Sequence, residues 1–254
     1  MNLENWFTRK DHGDGILELC LNCAPVNAIS AEILNDIVRM LDEMAADDSV
    51  RAVVISSALK VFSAGLDMKK IEKMDFAGQM ALLKGLNTGF PALFSFPKPI
   101  VVAVNGAAIA GGLFFVLTAD FRVAGPRAKF GLAEVRVGLD FPVAPMEIAR
   151  NTLAPDALRR LMLTGQPMSA TEATAAGIVD VLEPDDSLVL DRALRAARDL
   201  AANPPIAYAA IKRQIRLEAL DRIDAGIAAG ANTPEGGWFN DESKVAMQRM
   251  ISGS

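Results

Sequence analysis

The chain has few residues that could support thiol or imidazole chemistry. Its 254 residues include two cysteines, Cys20 and Cys23, and one histidine, His12. With a single histidine, a histidine-based nucleophilic triad and a histidine-rich metal site are essentially excluded. The cysteines form a C-x-x-C pair, but no further cysteine completes a zinc site, and the pair lies in a strand-like run. We therefore interpret Cys20 as a small core residue and expect no metal or redox cofactor.

The chain also lacks a strongly basic segment and a long hydrophobic run. Its formal net charge is −5, so nucleic acid is not an expected partner. No apolar run reaches the ~20 residues that span a bilayer. The first residues lack the basic and apolar regions of a secretory signal. These absences predict a cytoplasmic protein that does not use a membrane as a partner.

The chain does contain short, β-branched apolar runs separated by helical patterns. Residues 15–21 alternate as a one-sided strand does, whereas residues 51–56 and 99–104 are almost continuously apolar and indicate strands buried on both faces. Apolar residues recur at helical spacing over residues 30–46, with Ser30 as the N-cap. Strands that alternate with helices predict an α/β fold with a mostly parallel sheet.

The second half of the chain has a different composition. Beyond about residue 150 the strand-like runs thin out to residues 178–182, and helical segments rich in Ala, Leu and Arg take over. The predicted helices cover residues 155–163, 170–176, 188–202 and 205–220. We predict a core over residues 1–195 and a helical C-terminal region over residues 196–254.

Two glycine-containing turns each follow a strand and open a helical segment. Residues 61–68 read V-F-S-A-G-L-D-M, and residues 105–112 read N-G-A-A-I-A-G-G. The first N–H groups of a helix have no internal partner, and glycine allows a ligand to approach them closely. Together, two such turns would present two N–H groups to one oxygen, which is an oxyanion hole. Taken alone, Gly111 and Gly112 are better explained by close helix–sheet packing, as they would be in most proteins.

The order and spacing of several segments resemble the crotonase (enoyl-CoA hydratase/isomerase) superfamily. The matching segments are residues 25–28 (P-V-N-A), 62–67, 105–112 with Asp120 downstream, 130–138 and 175–180 (A-A-G-I-V-D). The resemblance runs from about residue 12 to about residue 250. It implies the crotonase fold, a spiral of ββα units whose helical C-terminal region supports trimerisation and closes the acyl-CoA site. It also implies a homotrimer or hexamer with an acyl-CoA thioester as substrate, so that CoA is not a separate cofactor.

The same resemblance implies roles for matching positions. The backbone N–H groups of Leu66 and Gly111 would form the oxyanion hole for the thioester oxygen. Further residues would line the path of CoA and substrate, namely Val26, Asn27, Ala28, Ala64, Asp67 and Met68. Lys60, Lys69 and Lys70 are candidates for the CoA phosphates, although ordinary solvated lysines fit the same pattern.

The carboxylates decide the expected reaction. A hydratase of this family uses two glutamates, and this chain has Phe114 at the first position and Glu134 at the second. Phenylalanine cannot transfer a proton, whereas one carboxylate suits a double-bond shift from a 3-enoyl-CoA to a 2-enoyl-CoA. The pattern is most similar to mitochondrial-type 3,2-enoyl-CoA isomerases. An apolar wall of Phe114, Phe115 and Phe141 is expected to raise the pKa of Glu134.

Two other functions fit the same sequence. Asp140, six residues after Glu134, would supply a second group to a hydratase or to another enolate reaction of the family, although a loop or helix-cap aspartate fits the same position. A non-catalytic acyl-CoA-binding protein is the alternative from another class. The presence of Glu134 together with both glycine turns favours an enzyme. Glu147 is interpreted as a helix-surface residue.

Overall fold

A computed structural model describes residues 6–231 and 237–252 and shows a chain built on two β-sheets. The strands are β1 (Phe7–Asp11), β2 (Ile16–Leu21), β3 (Ala52–Ser57), β4 (Ile100–Val104), β5 (Ala107–Ile109), β6 (Phe121–Ala124), β7 (Lys129–Gly131), β8 (Met168–Ser169) and β9 (Val181–Leu182). The larger sheet has the order β1-β2-β3-β4-β6-β9, and the smaller has the order β5-β7-β8. Only the β1–β2 pair of the larger sheet is antiparallel. The predicted α/β class with a mostly parallel sheet is confirmed.

Helices cover the sheets and follow one another through most of the second half of the described chain. They are α1 (Ala31–Ala46), α2 (Met68–Ile71), α3 (Phe76–Ser95), α4 (Gly111–Leu117), α5 (Val143–Thr152), α6 (Pro155–Thr164), α7 (Ala170–Ala175), α8 (Val189–Ala201), α9 (Pro205–Ala228) and α10 (Asp241–Ser252), with short 3-10 helices at Glu134–Val137 and Asp186–Leu188. Within the described ranges, no helix combines the length and apolarity needed to cross a bilayer.

The central strands are apolar on both faces because both faces are covered. On β3, Val53 and Ile55 belong to the main core, whereas Val54 packs in a second cluster with residues of α8. Helix α1 begins where predicted, since the Ser30 side chain accepts a hydrogen bond from the Ile33 amide. The continuous apolar runs therefore correspond to strands buried between helical layers.

The elements of the second half of the chain follow the predicted segments, with three differences. Strand β9 is shorter than the predicted run because the amides of Ile178 and Val179 turn back to the carbonyl of Ala173. Helix α9 extends eight residues past the predicted end at residue 220. The predicted boundary at residue 195 falls inside α8, and the division into a core and a helical region stays a prediction.

Two interpretations of single residues were wrong. Cys20 is half-buried rather than a core residue, because it occupies one of the less buried positions of β2. Glu147 was interpreted as a surface residue, but it is only 6% exposed because α5, on which it lies, packs against α9. Arg150 and Arg222 contact the Glu147 carboxylate, so its burial is accompanied by charge pairing.

Candidate active site

The two glycine turns lie directly against each other. The Ser63 amide donates to the carbonyl of Ala107, and the Ile109 amide donates to the carbonyl of Ser63, both at 3.0 Å. A Cβ atom on Gly112 would lie 2.3 Å from the Ser63 carbonyl oxygen, closer than real atoms approach. Close packing therefore does explain Gly112. The same packing brings the first turn to the start of α4.

The amides of Leu66 and Gly111 meet at this junction. A Cβ atom on Gly111 would lie 4.0 Å from the Leu66 nitrogen. Neither amide donates a hydrogen bond to another group within residues 6–231 and 237–252. Gly111 opens α4, and the preceding Ala110 has φ = 51°, a left-handed conformation that non-glycine residues rarely adopt. Two unused N–H groups are thus held close together at one end of a cavity.

The cavity beside these amides has a volume of about 100 Å³. Its lining is predominantly apolar and includes Ala64, Leu66, Met68, Leu86, Phe90, Gly111, Phe114, Glu134, Phe141, Pro142 and Trp238. Glu134 is the only ionisable side chain among the described residues that line it. No three His, Cys, Asp or Glu side chains in the described part of the chain come together as metal ligands do.

Glu134 places a carboxylate with one unpaired oxygen in this apolar space. The residue begins the 3-10 helix Glu134–Val137, and although the residue as a whole is half-buried, its Oε2 atom is fully buried and has no hydrogen-bond partner. Burial disfavours the charged form and raises the pKa of Glu134 to about 8, against a small opposing effect from a backbone hydrogen bond. A carboxyl group with this pKa can both accept and donate a proton near neutral pH.

The aromatic wall differs from the prediction in one member. Phe114 is 1% exposed and packs with its ring centroid 5.2 Å from Phe90 and 6.5 Å from Phe141. Phe115 instead turns toward Trp6, at 5.9 Å, and does not line the cavity. The prediction for Phe115 was wrong because α4 is buried on all sides, so burial alone did not indicate which side faces the cavity. Phe90 on α3, which the sequence did not indicate, lines the cavity in its place.

Asp140 lies outside the cavity. Its side chain is exposed, it is not among the described lining residues, and its Oδ1 atom accepts a hydrogen bond of 2.8 Å from Nε1 of Trp238. Trp238, in contrast, is 8% exposed and lines the cavity. Sequence reasoning missed Trp238, and the available signal was the adjacent aromatic pair with Phe239 beside a glycine.

The residues predicted for the CoA path divide into two groups. Ala64 and Met68 line the cavity, whereas Val26 and Ala28 act through their backbone: the Val26 carbonyl accepts from the Ala64 amide, and the Ala28 carbonyl accepts from the Trp6 indole. Between them, Asn27 is buried and ties its loop to the first turn by donating to the carbonyl of Phe62. These contacts show how the loop is fixed beside the first glycine turn.

Three of the charged candidates belong to the start of α2, and the fourth, Lys60, lies beside the second glycine turn. The Asp67 side chain caps α2 by accepting hydrogen bonds from the amides of Lys69 and Lys70. Both lysines and Lys60 are exposed. The Lys60 backbone approaches the second turn, since a Cβ atom on Gly106 would lie 2.1 Å from the Lys60 carbonyl oxygen.

Comparison with known proteins places this geometry in a family. The chain is similar to human mitochondrial delta3-delta2-enoyl-CoA isomerase, with a TM-score of 0.91, 28% identity, and coverage of 98% of this chain and 97% of that one. It is 32% identical over 202 residues to the probable enoyl-CoA hydratase EchA17 of Mycobacterium tuberculosis, which covers 79% of this chain and 77% of the relative. It is 31% identical over 218 residues to 2,3-dehydroadipyl-CoA hydratase of Escherichia coli, covering 84% and 83%.

The family match spans nearly the whole chain. Residues 11–249 match the enoyl-CoA hydratase/isomerase family, and the structural similarity confirms the predicted crotonase fold with its C-terminal helices. The chain belongs to the enoyl-CoA hydratase/isomerase family.

Proposed function

We propose that the protein is an enoyl-CoA isomerase that converts a 3-enoyl-CoA to a 2-enoyl-CoA with Glu134 as its single acid/base group. The observation that supports this most directly is the buried Oε2 atom of Glu134, which has no hydrogen-bond partner and faces a cavity with no other ionisable side chain among the described residues. A buried carboxylate oxygen without a hydrogen-bond partner is costly. Proton transfer to and from an apolar substrate gives it a chemical role.

In the proposed mechanism, Glu134 removes a proton from C2 of the substrate. The electron pair of the C2–H bond then forms an enolate whose negative charge lies on the thioester oxygen, where the amides of Leu66 and Gly111 stabilise it. The same carboxyl group returns the proton at C4, so the double bond moves from C3–C4 to C2–C3 without a net gain or loss of atoms. Each oxyanion-hole donor contributes on the order of 3 kcal/mol.

The raised pKa of Glu134 suits this role. A base with a pKa of about 8 accepts a carbon-bound proton more readily than an ordinary glutamate does. The apolar lining, including Phe114 and Phe141, also excludes water from the enolate. Both features favour transfer of one proton between two carbons over addition of water.

Hydration is the second candidate, because the two relatives at 31% and 32% identity carry hydratase names. Water addition requires a second group to activate or hold the water molecule. Phe114 occupies the position where that group would stand, and Asp140 lies outside the cavity. These two placements favour isomerisation. A protein that only binds acyl-CoA would have no use for the unpaired oxygen of Glu134.

Incubation with a 3-enoyl-CoA and, separately, with a 2-enoyl-CoA tests the proposal by absorbance and mass. An isomerase conjugates the 3-enoyl thioester, which changes its near-ultraviolet absorbance, without a change in mass, and Glu134→Gln abolishes the reaction. Gain of the mass of water by the 2-enoyl-CoA would establish the hydratase instead. If the protein binds both thioesters and changes neither, it is a non-catalytic acyl-CoA-binding protein and the isomerase proposal is wrong.

We also propose a homotrimer or hexamer. Its support is an exposed apolar pair on α9, since Ile211 and Ile215 lie four positions apart on one face of the helix and are 56% and 66% exposed. Light scattering after size-exclusion chromatography measures the mass of the assembly, and a monomer at micromolar concentration would contradict the proposal. The cytoplasmic location stays a prediction.

A further inference from the structure

We propose that Asp140 is a positioning residue that holds Trp238 as a wall of the acyl cavity, and that the pair determines which acyl chains the enzyme accepts. This inference rests on the proposed acyl-CoA site, and it gives Asp140 a role different from that of a second base. Trp238 is the largest side chain in the cavity wall, so its orientation affects the cavity's size and shape more than that of any smaller neighbour.

The backbone of this wall is fixed to α3. The Phe239 amide donates to Oε1 of Gln79 at 3.2 Å, and the Gln79 side-chain amide donates to the carbonyl of Met74 at 3.2 Å. Gln79 is only 8% exposed, so these bonds are largely shielded from water. The Phe239 ring stacks on Trp238 with centroids 5.4 Å apart. These contacts place the tryptophan at the cavity.

The orientation of the indole depends on Asp140. The hydrogen bond from Nε1 of Trp238 to Oδ1 of Asp140 is 2.8 Å long and joins residues 98 positions apart. A buried indole N–H requires an acceptor, and an indole that loses its acceptor turns toward water or another partner. Asp140 keeps its carboxylate exposed while its neighbours Leu139 and Phe141 line the cavity. The carboxylate therefore anchors the indole from outside without placing a charge inside.

Three variants separate anchoring from catalysis. Trp238→Ala removes the wall and should raise the ratio of kcat/KM for 3-dodecenoyl-CoA over 3-hexenoyl-CoA by about tenfold or more, since pocket contacts of one methylene are worth about 10–200-fold. Asp140→Ala frees the indole and should shift the ratio in the same direction by a smaller factor, about two- to tenfold. Asp140→Asn keeps an acceptor oxygen and should retain the wild-type ratio.

A binding measurement tests the same inference without turnover. The Kd values of the saturated hexanoyl-CoA and dodecanoyl-CoA should change in the same order among the variants, even if the chain is not an isomerase. The chain has two tryptophans, so subtraction of the Trp238→Phe spectrum, which contains only Trp6, isolates the Trp238 emission. Asp140→Ala should shift that emission toward the red, whereas Asp140→Asn should leave it in place.

The outcomes distinguish this inference from the proposed function. Altered Kd ratios without conversion of any 3-enoyl-CoA would support the anchored wall and contradict the isomerase. Conversion with unchanged chain-length ratios in both Trp238→Ala and Asp140→Ala would overturn the anchored wall alone. Loss of turnover on every chain length in Asp140→Asn, with Kd values retained, would make Asp140 a proton-transfer group and overturn its role as an anchor.

Discussion

A Cβ atom on Gly65 would lie 2.9 Å from the amide nitrogen of Gly111, and 2.8 Å from the carbonyl oxygen of Ile109. Gly65 immediately precedes Leu66. A side chain on Gly65 would therefore stand between the two amides of the proposed oxyanion hole, those of Leu66 and Gly111. Its φ of 78° lies in the region that favours glycine. The spacing of the two amides thus depends on the absence of a side chain at one position.

Gly65→Ala should therefore lower kcat by about a hundred- to thousandfold, because the added methyl group separates the amides and one donor is worth about that factor. Gly177→Ala is the matched control: Gly177 has φ = 72°, but an added Cβ atom meets nothing within 4 Å. Both variants force alanine into a left-handed backbone conformation, but only Gly65→Ala displaces the amides of the proposed oxyanion hole. If kcat falls equally in the two variants, backbone strain and not the separation of the two amides causes the loss of activity. Steady-state kinetics and thermal melts of both variants make the comparison.

The pKa of Glu134 predicts the pH dependence of the reaction. The proposed base works as a carboxylate, and burial raises its pKa to about 8, so kcat/KM should rise with pH and level off above about 8. Because kcat/KM reports the free enzyme, the substrate's own contacts do not enter this inflection. An inflection near the ordinary glutamate value would mean that the carboxylate is solvated in the free enzyme.

The same pKa predicts how stability responds to pH. The folded-state pKa of Glu134, about 8, lies above its ordinary value of 4.5, so the folded protein binds the proton more tightly than the unfolded chain does. The free energy of unfolding should therefore fall as pH rises from about 4.5 to 8. Glu134→Gln, which resembles the neutral acid, should match the wild-type Tm at pH 4 and exceed it at pH 9. A difference of 1 kcal/mol corresponds to roughly 2–4 °C. Equal Tm values at both pH values would show that burial does not penalise the charge.

The sequence predicted the features that depend on local pattern. The continuous β-branched runs of β3 and β4, the Ser30 cap and the two glycine turns all have a signal within a few residues. The side of α4 that faces the cavity had no such signal, because every residue of that helix is buried. Trp238 is held at the cavity by a hydrogen bond to Asp140, which lies 98 positions earlier in the sequence. Such an arrangement depends on how the Trp238–Phe239 segment packs against Asp140 and against Gln79 of α3, which no local pattern specifies.

Phe114 offers a test of what separates the two family reactions. Phe114→Glu would place a second carboxylate in the cavity near Glu134, and we expect it to add measurable hydration of a 2-enoyl-CoA. The change also replaces a ring that is 1% exposed with a charged group, so we expect a loss of stability of about 3–5 kcal/mol. The control is Phe114→Gln, because glutamine has nearly the same shape as glutamate but cannot act as an acid or base. This variant should give no hydration. Hydration by both variants would mean that added space for water, and not the second carboxylate, permits the reaction.

Asp120 should contribute more to stability than any exposed ion pair of the chain. Its carboxylate binds Lys212 at 2.6 Å and Arg216 at 2.7 Å, and both cations on α9 are less than 10% exposed. Burial already lowers the pKa of Lys212 to about 8, and loss of Asp120 would leave two desolvated cations facing each other. Removing one partner of a buried pair costs about 3–5 kcal/mol, so Asp120→Ala should lower Tm by about 10 °C. Glu218→Ala, which breaks the exposed pair with Arg222, should change the free energy of unfolding by less than about 1 kcal/mol. Thermal melts of the two variants decide the point, since equal losses would mean that the buried cations find other partners or release their protons.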